Sequence, residues 1–99
     1  MKAVFVFLTV DHIEDVDNFK SITTQSMTLT TVGVTTYEDA VKQIEKLIAQ
    51  GYTTIELCAG FGTKGVAMIQ NIIPKGVYLG VVRFDIHPQL HMQSGDAFF

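Results

Sequence analysis

Apolar residues fall in four short runs, separated by segments that either repeat every three or four positions or carry turn-forming residues. Residues 3–10 are almost continuously apolar and β-branched or aromatic, the pattern of a central strand covered on both faces. Asp11 with Glu14, followed by Ile13, Val16 and Phe19 at three-residue spacing, predicts a short helix over 12–20. Residues 21–26 read as loop, and the Thr- and Val-rich stretch 27–34 as a second strand. Thr35 or Thr36 is placed to cap the next helix. Glu38 and Asp39 lie near its positive end, Ala40, Val41, Ile44, Leu47 and Ile48 form one face, and Gly51 ends it.

A third strand over 53–58 runs into a tight glycine turn at 60–62. A helix over 63–73 then stops at Pro74, and a fourth strand is expected over 77–86. Strands alternating with helices through short links predict one α/β domain over residues 1–99. Its sheet is expected to be mainly parallel and four-stranded, in βαβαβαβ order and Rossmann-like. A half-barrel of strand–helix units that pairs with a second copy has the same element order.

Composition narrows the functional classes. The 99 residues are 47% hydrophobic and 17% charged, an apolar excess that either fills an unusually full core or covers a patch meeting another copy, so a homodimer or higher homo-oligomer is expected. Net charge is −3 and the seven Lys and Arg are scattered, which argues against nucleic acid as a partner. The apolar start meets Asp11 and His12 without a small-residue cleavage site, and no apolar run approaches the length of a membrane span. Cys58 is the only cysteine, which suits a reducing cytoplasm.

Two segments, Glu56-Leu-Cys-Ala-Gly-Phe-Gly62 and Gly80-Val-Val-Arg-Phe-Asp-Ile-His-Pro88, resemble those of short prokaryotic proteins grouped as a domain of unknown function. The resemblance spans nearly the whole chain in length and element order. It implies a fold and assigns no catalytic role.

In open parallel sheets, ligands bind outside the carboxyl ends of the strands. The expected strands end in Asp11-His12, in Cys58 followed by glycines, and in Asp85-Ile-His87. Strand alternation puts Arg83, Asp85 and His87 on one face, and Glu56 would meet Arg83 if their strands pair in register. Gly60-Phe61-Gly62-Thr63-Lys64-Gly65 fits G-x-G-x-x-G between strand and helix, and Asp85 lies 20 residues beyond Gly65, the spacing of a dinucleotide site. A simpler phosphate or carboxylate held by the turn amides and Lys64 uses the same residues, and so does a turn that needs glycine only for its backbone.

Cys58 before this loop resembles the cysteine-loop-helix of phosphatases, but Lys64 stands where that chemistry uses a bidentate Arg, so an inert thiol is the preferred reading. Asp85, His87 and His91 have metal-compatible chemistry, yet capping or surface histidines explain them as well, and no metal site or cofactor is assigned. Met27, Met68, Met92, Phe5, Phe7, Phe61 and Phe84 are read as core or interface. The adjacent Phe98 and Phe99 are expected to dock on their own domain or on a neighbouring subunit.

The expected function is binding of a small anion at the turn 60–65, with Asp11, Arg83, Asp85 and His87 lining the pocket. The alternatives are an enzyme using His87 and Asp85 with Cys58 nearby, and an assembly module without a ligand.

Overall fold

The computed structural model describes residues 1–14 and 18–99. Five strands form one sheet in the order β2-β3-β1-β4-β5: β1 (Lys2–Leu8), β2 (Phe19–Thr23), β3 (Thr28–Val34), β4 (Thr54–Leu57) and β5 (Tyr78–Val81). The helices given by the described residues are α1 (Tyr37–Ala49) and α2 (Thr63–Gln70), followed by two short 3-10 turns at Pro88–Leu90 and Gly95–Ala97. β1 pairs in parallel with both β3 and β4, and β4 with β5, whereas β2 runs antiparallel to β3.

This overturns the expected four-stranded, Rossmann-like βαβαβαβ sheet. The sheet is mixed, it has five strands, and two helices serve as crossovers. The fault lies at 19–23, a Phe-Lys-Ser-Ile-Thr segment whose five residues are all exposed. A strand solvated along both faces shows no hydrophobic alternation, which is the signal a sequence search relies on. The expected helix over 12–20 fails at its end, since Phe19 and Lys20 belong to β2, and its residues 15–17 lie outside those described. β2 is held instead by its hairpin. The Thr24 amide donates to the Met27 carbonyl at 2.8 Å, and hydroxyls pair across the strands at Ser21–Thr30 (2.7 Å) and Thr23–Thr28 (3.3 Å).

α1 forms where its cap and apolar face predict. The Thr36 hydroxyl accepts from the Asp39 amide at 3.0 Å, Ala40, Ile44 and Leu47 are buried, and Gly51 closes the end at φ +94°. Both crossovers, β3-α1-β4 and β4-α2-β5, step the same way along the sheet, so a right-handed path puts both helices on one face. Val4 and Val6 of β1, Val32 and Val34 of β3, and Ile55 and Leu57 of β4 meet Ile44, Leu47 and Ile69 there as one core. The hydroxyl of Tyr52, just after α1, reaches Thr30 at 2.6 Å and satisfies the buried polar side chain of β3.

β5 is shorter than the expected strand over 77–86. β4 offers only four residues to pair with, and after the Val82 amide bonds the Leu57 carbonyl at 3.1 Å the ladder has no further partner. The expected Glu56–Arg83 pair is therefore not made. Glu56 lies opposite Gly80, and Arg83, beyond the strand, holds Asp85 instead with Nε to Oδ1 at 2.9 Å in an exposed pair.

Candidate binding site at the carboxyl ends of β1 and β4

From β1 the chain goes on to β2, beyond β3 on one side, and from β4 it goes on to β5 on the other. The loops after the two adjacent strands diverge, and a crevice opens between their carboxyl ends, where ligands of open α/β sheets are held. A cavity of about 550 Å³ occupies that place. Its floor is Leu8-Thr9-Val10-Asp11 and Cys58-Ala59-Gly60, and its far wall is formed by His87, Leu90, His91, Phe98 and Phe99.

At the floor the Cys58 sulfur accepts the Leu8 amide at 3.3 Å and the Gly60 amide at 3.2 Å, which ties the two loops together. The far wall begins at His87, whose Nδ1 accepts the Gln89 amide at 3.2 Å and so leaves the ring proton on Nε2. A bridge from His87 to Gln93 closes this wall into a small loop. Within it His91 and Met92 hold positive φ angles of 53° and 59°.

The glycine turn has a different occupant. The Asp96 carboxylate accepts the Lys64 amide at 2.9 Å and the Gly65 amide at 3.2 Å, so the amino end of α2 is filled by a side chain of the same chain. The Tyr37 hydroxyl donates to Asp96 at 2.8 Å and accepts the Gly62 amide at 3.1 Å. A Cβ at Gly62 would strike the Asp96 carboxylate and the Ser94 hydroxyl, one at Gly65 would strike the Tyr37 ring, and one at Gly95 would land on the Gly60 carbonyl. The G-x-G-x-x-G spacing therefore admits residues 94–96 and Tyr37, and the amides that a phosphate would take from Lys64 and Gly65 are already bonded.

The electrostatics follow from these contacts. Burial is the largest single influence on Asp96 and works to raise its pKa. The Lys64 amide, the Tyr37 hydroxyl, the Gly65 amide and the Lys64 charge together outweigh it and hold the carboxyl below its ordinary value. Burial, reinforced by the adjacent Asp96, pushes Tyr37 up to about 12, against the opposing hydrogen bond from Gly62.

The residues expected at the site are thus divided. Asp11, Cys58, Gly60 and His87 line the main cavity. Phe61 is buried and stacks on Tyr37 with ring centres 5.6 Å apart, while Lys64 and Gly65 serve Asp96. Gly62, Thr63, Arg83 and Asp85 border a separate hollow of about 140 Å³. The Asp85 carboxylate holds the Arg83 guanidinium above its usual range. Among the described residues no group of three or more His, Cys, Asp and Glu is placed to hold a metal ion. Tyr37 and Asp96 were missed, since Tyr37 reads as a helix-face aromatic and nothing local marks Asp96 as the cap of a helix whose amides lie 31 and 32 residues earlier.

A family model described as a family of unknown function, DUF6506, matches residues 1–97. The chain belongs to the DUF6506 family. Searches of curated proteins and of solved structures gave no significant match to this DUF6506 chain. The family assignment agrees with the expectation of a domain-of-unknown-function family and brings no ligand with it. Among its described residues this DUF6506 protein has no helix long and apolar enough to cross a membrane.

Proposed function

We propose that this protein binds a small organic acid in the cavity at the carboxyl ends of β1 and β4. The observation that carries this reading is the cavity's position, at the one place where the loops of adjacent parallel strands diverge, together with a volume of about 550 Å³. Leu8, Val10, Leu90, Phe98 and Phe99 suit an apolar body, and the ring N–H groups of His87 and His91 supply donors for a carboxylate. The ligand touches the glycine turn only through Gly60, because Asp96 fills the helix end. Binding is favoured over nucleophilic catalysis because among the described residues no imidazole is hydrogen-bonded to the Cys58 sulfur to serve as its base.

Backbone-amide NMR with a panel of small organic acids and inorganic phosphate tests this. Saturable shifts at Leu8–Asp11 and at Cys58–Gly60, with Lys64 and Gly65 unmoved, are expected. Shifts confined to Lys64 and Gly65 with phosphate, or none at all in the folded protein, overturn the reading.

A second observation supports self-association. Val81, Val82, Phe84 and Ile86 stay exposed along and beyond β5, an apolar run at the open outer edge of the sheet. We propose that a second copy covers it.

A further inference from the structure

Resting on the cavity reading above, we infer that the ligand is a planar aromatic acid and that the strap 94–99 determines this selectivity. Five rings border the cavity: Phe7 from β1, His87 and His91 from the loop that follows β5, and Phe98 and Phe99 from the strap. An aliphatic chain is satisfied by Leu and Val walls, which leave its conformation open. Rings gathered around one space favour a flat π-system, which they meet by offset stacking or edge-to-face contact.

The rings are held in place. Phe99 packs against the core with its ring centre 6.1 Å from Tyr37, and the Phe98 ring lies 6.1 Å from His91 and 6.4 Å from Phe99. The strap that carries the two phenylalanines is anchored just before them. The Asp96 carboxylate is bonded to α2 and to Tyr37, Gly95 sits against Gly60, and the Phe98 and Phe99 amides both bond the Gly95 carbonyl at 3.0 Å. A wall fixed in this way presents preformed faces, so little ordering is left to be done on binding. Phe98 lines the cavity and is 43% exposed, apolar ring surface that a bound aromatic would cover.

The space suits a bicyclic ring system, since about 550 Å³ lies in the middle of the range for small-molecule pockets. The acidic group then faces the imidazoles, with His87 donating through Nε2.

Calorimetric titration of the intact protein with 2-naphthoate and with octanoate, acids of similar length that differ in planarity, tests the inference. Affinity for 2-naphthoate is expected to exceed that for octanoate about tenfold, from one or two added ring contacts. Phe98→Leu, at a half-exposed position where folding is not at stake, is expected to reduce the ratio to about twofold by weakening 2-naphthoate alone. Equal affinities, or a ratio unchanged by Phe98→Leu, overturn the aromatic assignment while leaving the cavity as a binding site. Failure of both acids to bind the folded protein overturns this inference and the reading beneath it together.

Discussion

A carboxylate beyond the first turn of a helix accepts amides that the helix itself leaves without partners, and Asp96 does this for α2 from 31 and 32 positions away in sequence. Its contribution resembles that of an N-cap, so Asp96→Ala is expected to lower stability by about 1–2 kcal/mol in urea unfolding. Tyr37→Phe removes a donor to Asp96 and strands the Gly62 amide, at about 1–3 kcal/mol. Because the two side chains share one hydrogen bond, the double variant should cost less than the sum of the two singles, and strict additivity would show that they do not act as a unit.

Both groups also make stability depend on pH, in opposite directions. Asp96 has a folded pKa below its ordinary 3.8, so its contribution is complete above that value and is lost as pH falls through the folded one. Wild type should therefore lose its advantage over Asp96→Ala in acid. Tyr37 is raised from 10.0 to about 12, so it favours folding up to about pH 10 and loses that contribution between there and pH 12. In a spectrophotometric titration of the folded protein, the Tyr37 step should fall near pH 12 and vanish in Tyr37→Phe. Absence of a step near pH 12 that Tyr37→Phe removes would show that the Tyr37–Asp96 pair is not formed.

At the scale of elements, the strap 94–99 depends on backbone touching backbone. Gly95→Ala would drive a methyl into the Gly60 carbonyl, and relief requires moving either the strap or the floor of the cavity. We expect a loss of about 2 kcal/mol or more in urea, with amide shifts at residues 58–62. A variant as stable as wild type, with those resonances in place, would mean that the strap does not rest where the structure puts it. The same element marks how far the sequence was legible. β1, α1, β4 and the glycine turn announce themselves through apolar runs, the Thr36 cap and Gly51, all of them local signals. Docking of Phe99 against the core was legible from its chemistry, whereas Phe98 stays 43% exposed. The β2 edge was not, because Thr–Ser pairing with β3 leaves no alternation to read, and the assignment of Arg83 to Glu56 failed because β5 ends with its partner. The purpose of the glycines stayed hidden for a related reason. G-x-G-x-x-G reports that something approaches the backbone closely, and sequence spacing cannot distinguish a phosphate from a carboxylate of the same chain.

At the scale of the whole molecule the sheet has two edges, and they are guarded unequally. β2 carries Lys20 and hydroxyl side chains, which discourage further pairing beside its exposed Phe19 and Ile22. The β5 side presents Val81, Val82, Phe84 and Ile86 to solvent, between Gly80 and the loop that begins at His87. The run Val82-Arg83-Phe84-Asp85-Ile86 is self-complementary. Antiparallel pairing on a two-fold axis through Phe84 would set Val82 against Ile86 and Arg83 against Asp85 of the second copy, at both ends. The Arg83–Asp85 contact now made within one chain is exposed and of little energetic consequence, so exchanging it for two contacts between chains costs almost nothing. Sedimentation velocity at tens of micromolar should then show a dimer, and Phe84→Glu a monomer, since two carboxylates would face each other on the axis. Arg83→Asp alone should weaken the dimer by setting Asp against Asp at both ends. The reversed pair, Arg83→Asp with Asp85→Arg, should restore it, because the two-fold axis returns opposite charges to each position. A dimer that survives Phe84→Glu would place the interface elsewhere on the molecule. A charge reversal that fails to rescue would leave the apolar run in the contact but exclude this register, and a wild-type monomer at these concentrations would mean that the exposed β5 edge serves no second copy.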